Sequence, residues 1–166
     1  MQAIANCGQS SEARSAAVTV AVQAATPEFF FFVHNANGQN AVAAVNAVTG
    51  AYIGPANLIP GANFVAAQAG DIVSIFMTGL GATNPSYDAG VLPPGIASVS
   101  TPASVTLGSL QLPAANILYA GVAPLNPGLY QVNIQIPVGA PTGNVPLAVT
   151  VGAFSTPAGG YLAIGQ

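Results

Sequence analysis

The chain has 166 residues, enough for one domain with a substantial core, and 52% of them are hydrophobic, which excludes intrinsic disorder. Only 3% are charged, against about 25% in an ordinary soluble protein. The single cation, Arg14, excludes a protein that tracks nucleic-acid phosphates, and the lack of any run of about 18 apolar residues excludes a membrane-spanning helix.

A surface so poor in charge suits a protein covered by copies of itself or by other domains. Fourteen prolines and nineteen glycines punctuate the chain, a composition of many turns and strands and few helices. The first fourteen residues are polar and loop-like. They contain the single cysteine, Cys7, so no disulfide can form within the chain. Met1–Ala5 lacks the basic start and long apolar run of a secretory signal peptide.

Residues 15–23 read as a strand, with Val18, Val20 and Val22 on one face and Thr19, Ala21 and Gln23 on the other. After a break at 24–27 comes Phe29–Val33, a continuous aromatic run of the kind buried on both faces, with Glu28 beside it as a charge that guards against aggregation. Asn35–Gly38 signals a turn. Residues 41–48 and 51–53 read as a hairpin around Thr49-Gly50, and 54–69 as irregular. A strand is expected at 71–78 and a long loop at 79–100. Strands at 104–107 and 116–119 are expected to flank a turn at Gly108-Ser109.

The clearest element is Leu129–Pro137. Tyr130, Val132, Ile134 and Ile136 alternate with Gln131, Asn133 and Gln135, the period of a strand with one buried and one wet face. Pro127-Gly128 turns the chain into it and Pro137, lacking an N–H, ends its ladder. A turn at 139–144 and strands at 145–151 and 161–164 complete the pattern. The sum is an all-β, immunoglobulin-like antiparallel β-sandwich with Greek-key connections over residues 28–166. A leader, residues 1–27, precedes it with an extra N-terminal strand. Tyr130, at the start of its strand, is placed to tie its hydroxyl to nearby backbone, as a corner tyrosine does.

Several segments together resemble the C-terminal β-sandwich domain of uncharacterised secreted proteins of Acidobacteria, Solibacter-type. They are residues 26–30, 38–46, 77–85 with 88–90, 118–124, 127–137 and 143–152. The likeness spans roughly residues 16–164 and departs at Phe29–Phe32, where this chain is more aromatic. It implies an extracellular or cell-surface module with no established catalytic residues. In such proteins a strand like 15–23 often completes a preceding domain. Here it is either the first strand of its own sandwich or a donor, anchored by Val18, Val20 and Val22, that enters a neighbouring copy.

Catalytic chemistry finds little material. His34 is the only histidine, and pairing it with Cys7 would need a pocket the polar leader does not announce. Asp71 and Asp88 are the only carboxylates deep in the sandwich region, and Asp71 has the position of a turn residue. One Cys and one His cannot make a zinc site, and Asn84 with Asp88 offers few carboxylates for calcium. Tyr87, Tyr119, Tyr130 and Tyr161 are candidates for sugar stacking. The reading is therefore a non-enzymatic structural protein without catalytic residues, cofactor or metal. Its partners are copies of itself, and a cell-surface polysaccharide if the chain serves instead as an accessory module binding through the 79–100 loop.

Overall fold

The computed structural model describes residues 1–88 and 91–165. In chain order its strands are β1 (Ile4–Ala5), β2 (Ala13–Arg14), β3 (Glu28–Phe29), β4 (Asn40–Ala41), β5 (Ala44–Asn46), β6 (Tyr52–Ile53), β7 (Phe64–Val65), β8 (Ile72–Thr78) and β9 (Thr83–Asn84). They continue with β10 (Ala97–Val99), β11 (Ala103–Leu107), β12 (Leu110–Gln111), β13 (Ile117–Val122), β14 (Tyr130–Gln135), β15 (Gly143–Val151), β16 (Phe154–Ser155) and β17 (Gly160–Ile164). A single 3-10 turn at Ala114–Asn116 is the helical content among the described residues, and no helix there is long and apolar enough to cross a membrane.

The strands make an all-β sandwich of two sheets. The larger runs β7-β6-β5-β8-β14-β13-β10-β9, with β3 added beside β8; the smaller runs β12-β11-β15-β17-β4, with β16 beside β15. The long loop expected at 79–100 thus contributes two short strands to the larger sheet. The turn at Gly108 joins β11 to β12 within the smaller sheet, so 104–107 and 116–119 lie in different sheets. Glycine and proline spacing marks turns, but it does not say which sheet the chain enters after each one.

Alternation decides what lies between the sheets. On β8, Val73, Ile75 and Met77 point inward; on and just after β14, Val132, Ile134 and Ile136 do. They meet Val105 and Leu107 of β11, alternate residues Val145–Val151 of β15, and Leu162 and Ile164 of β17 in one continuous core. The 129–136 segment is an inner strand, paired over Tyr130–Gln135 with β8 and on its other side with β13. It stops where Pro137 predicts.

The Phe29–Val33 run departs from its expected burial on both faces. Phe29 is buried and Phe31 packs against the core, but Phe30 is 45% exposed and Phe32 points away from the core. The segment is an edge piece, pairing Glu28 and Phe29 with β8 and Phe31 with Val42, so each alternate ring faces out.

Two tyrosines tie backbone together. The Tyr130 hydroxyl donates to the Gly81 carbonyl at 2.5 Å, 49 residues away in the loop that leaves β8, rather than to the nearby backbone of a corner tyrosine. The register explains it: Tyr130 sits opposite Met77, one residue from the end of β8. Tyr119 makes the local tie instead, donating to the Val122 carbonyl at 2.7 Å while accepting from the Ala97 amide at 3.4 Å. Its ring lies over Gly121, where a Cβ would press on both the Tyr119 hydroxyl and the Ala97 carbonyl. Desolvation pushes both phenol pKa values up.

Removing the first tie, by Tyr130→Phe, leaves a partly buried carbonyl without its donor and is expected to cost about 1 kcal/mol in chemical denaturation. Gly121→Ala, which must displace a ring or a backbone strand, is expected to cost more, about 2 kcal/mol.

Candidate functional site: the N-terminal arm and its root

Residues 1–23 stand apart from the sandwich. β1 and β2 form a two-stranded hairpin, continued by the Ser15 amide donating to the Ala3 carbonyl at 3.0 Å and the Val18 amide to the Met1 carbonyl at 2.8 Å. Its turn holds Cys7, exposed, and the pair Arg14–Glu12 at 2.6 Å. The Glu12 carboxylate also accepts from the Gly8 amide at 2.9 Å. That backbone bond, and then Arg14, hold the Glu12 pKa below the ordinary carboxylate value. A two-stranded hairpin with no buried apolar face is marginal on its own in water.

The expected strand at 15–23 does not form within the chain. After Val18, no backbone hydrogen bond engages residues 19–23 among the described residues. Val18, Val20 and Val22 are 61%, 47% and 90% exposed. The alternation that reads as a strand is present, but the segment pairs with no sheet edge among the described residues, and it carries its valines in water.

The arm's root, by contrast, is fixed. The Thr26 amide donates to the Gly79 carbonyl at 2.8 Å, and Ala25 and Pro27 are buried. Gly79 has φ +73°, and a Cβ there would run into the Thr26 carbonyl, so only glycine lets the leader pass this close to the end of β8. Beside the root opens a cleft of about 520 Å³, roofed by the loop that follows β8 and lined by Thr26, Thr83, Tyr87, Asp88, Val122 and Tyr130. Its chemistry is hydroxyls, apolar groups and one carboxylate.

The other candidate residues are scattered. His34 is exposed and meets the edge of Phe31 with ring centroids 5.3 Å apart. Asp71 accepts from the Gln68 amide at 2.8 Å, the turn role its position suggests. Tyr87 and Tyr130 share the cleft, Tyr161 is buried in β17, and Tyr119 lies on the outer face of the larger sheet, so the four tyrosines make no common platform. A group the sequence reading missed does gather there: Phe32, Tyr52 and Phe64 pack together outside the core. The run Phe29–Phe32 carried no contrast that could have shown it.

No protein-family model, curated protein or solved structure matches this chain.

Because the folded arm lowers the Glu12 pKa, its carboxylate contacts are intact above the ordinary carboxylate range and are lost as pH falls below it. The Gly8 amide resonance is expected to shift with an acidic midpoint below that of a free glutamate. At the root, Gly79→Ala is expected to abolish hydrogen-exchange protection of the Thr26 amide while the core amides of β14 stay protected.

Proposed function

We propose that the chain is a non-enzymatic structural subunit of an extracellular filament or surface assembly whose copies join by strand exchange. The observation that carries this reading is the segment after Val18: extended in pattern, apolar on one side, without backbone partners among the described residues, and tethered at its root by the Thr26–Gly79 hydrogen bond. A strand in that condition is stabilised by adding to a sheet edge of another molecule, where main-chain bonds give affinity and alternate side chains give register. A head-to-tail contact of this kind propagates into a filament when its rotation does not close a ring. The charge-poor surface supports the same reading, since little electrostatic repulsion opposes packing of like copies. The resemblance to secreted acidobacterial domains supports an extracellular setting.

The five residues 19–23 span about 16 Å when extended. That is enough for a short strand beside a neighbour's edge, with Val20 central to it. Electron microscopy of concentrated protein is expected to show polymers, and Val20→Asp, which forces a carboxylate into the apolar contact, to leave monomers of unchanged thermal stability. Val138→Asp, a charge on a loop residue already 93% exposed, should polymerise normally. A wild-type protein that stays monomeric at millimolar concentration would overturn the reading.

A further inference from the structure

The outer face of the larger sheet carries a second feature that strand exchange does not use. Directly paired residues on neighbouring strands share a face, so the register places one row across it: Asn133, Ser74, Val45, Tyr52 and Phe64. A parallel row sets Gln131 opposite Phe76, whose carbonyl takes the Phe30 amide at 3.2 Å. One half of the face is therefore aromatic and the other half is amide.

The aromatic half is packed ring against ring. Phe32 meets Tyr52 and Phe64 edge-on, with centroids 5.5 and 5.0 Å away, and Tyr52 lies over Phe64 at 5.4 Å. Phe64 is buried beneath the others, yet it belongs to this cluster and not to the core between the sheets. Tyr52 and Phe30, each 45% exposed, present their rings to solvent. On the amide half, Gln131 donates through Nε2 to Asn133 Oδ1 at 2.7 Å and to Ser74 Oγ at 3.3 Å. That leaves Gln131 Oε1 and Asn133 Nδ2 without a partner among the described residues, and Gln135 stands exposed at the end of the column.

We infer that this face binds a neutral polysaccharide. A pyranose ring has an apolar C–H face, which stacks on an aromatic side chain, and an equatorial rim of hydroxyls, which needs paired donors and acceptors such as amides provide. Charge decides between glycan classes. Arg14, the one cation, lies on the arm in a pair with Glu12, so an acidic polymer meets no counter-charge here. Glu28, on the same side of its strand as Phe30, is the one carboxylate at the margin. Preformed rings and amides bind without first being ordered, which favours a repetitive, extended chain crossing the strands. The cleft at the arm's root is the weaker place for a sugar: of its two tyrosines, Tyr130 is tied to Gly81. The inference is independent of strand exchange.

The test is co-sedimentation of the full chain with insoluble cellulose, chitin and β-1,3-glucan, with alginate beads as the acidic probe. Retention on at least one neutral polymer is expected, with no retention on alginate. Tyr52→Ala is expected to weaken it at least about tenfold, one stacking contact being worth an effect of that order, and Tyr52→Phe to restore it. Should Tyr52→Ala fail to fold, Phe30→Ala, outside the packed trio, reads the same loss. Retention on no neutral polymer, equal retention on alginate, or retention indifferent to both substitutions would overturn the inference. So would a face whose substitution changes only self-association, because a second copy would then be its occupant.

Discussion

The antiparallel pairing of β8 with β14 is the constraint on which the rest of the molecule depends. Six residue pairs, from Tyr130–Met77 to Gln135–Ile72, set the register of the two central strands of the larger sheet. Because side chains alternate, that one register assigns Val73, Ile75, Met77, Val132 and Ile134 to the core and Ser74, Phe76, Gln131 and Asn133 to the outer face. A slip of one residue would exchange the two sets and leave amides where the smaller sheet now packs. The same register places Tyr130 at the end of β8, where its hydroxyl holds the Gly81 carbonyl. The preceding Gly79 carbonyl holds the leader. Core, outer face and arm root are thus three consequences of one pairing.

The arm shows the converse case, a segment with a pattern but no register. Hydrophobic alternation at 18–22 satisfies the local rule for a strand, yet a strand is defined by its neighbour, and this segment pairs with none among the described residues. The larger sheet already has β3 and β5 against the free side of β8. Thr26 and the residues after it take the position an upstream strand would need. The root fixes where the arm leaves: the open backbone of Gly79 lets Thr26 approach the end of β8, and the Thr26 amide donates to the Gly79 carbonyl.

The parts of the fold legible in the sequence are those where one residue's burial follows from its neighbours two positions away. β14 was readable because it carries uninterrupted alternation, β8 because it is a strand-length apolar run, and the hairpin around Thr49-Gly50 because glycine marks its turn; its first strand ends at Asn46, whose Oδ1 accepts from the Val48 and Thr49 amides. Phe29–Phe32 was misread because four identical rings erase the contrast on which alternation depends. The route from β11 through β12 to β13 was misread because turn residues do not encode which sheet comes next. Tyr130's partner was hidden for a related reason: the contact spans 49 residues and exists only once β8 and β14 are in register. The aromatic trio joins Phe32, Tyr52 and Phe64, each unremarkable where it stands in the chain.

Low charge and high side-chain specificity are linked in this protein. With one ion pair, confined to the arm, electrostatics contribute almost nothing to the sandwich, and its uniqueness rests on packing and on main-chain pairing. The same economy shapes the surface. Without charges to repel other copies or to attract acidic polymers, recognition is left to exposed backbone edges, aromatic rings and amides. The arm offers the first; the outer face of the larger sheet offers the other two. The arm leaves the body at the end of β8, whereas the aromatic cluster gathers Phe32 with Tyr52 of β6 and Phe64 of β7, the strand that ends the sheet. An assembly of copies joined through the arm at an edge other than β7 would repeat the aromatic face along its length. Weak contacts between each copy and a repetitive glycan would then add by multivalency, giving firm attachment without any single tight site.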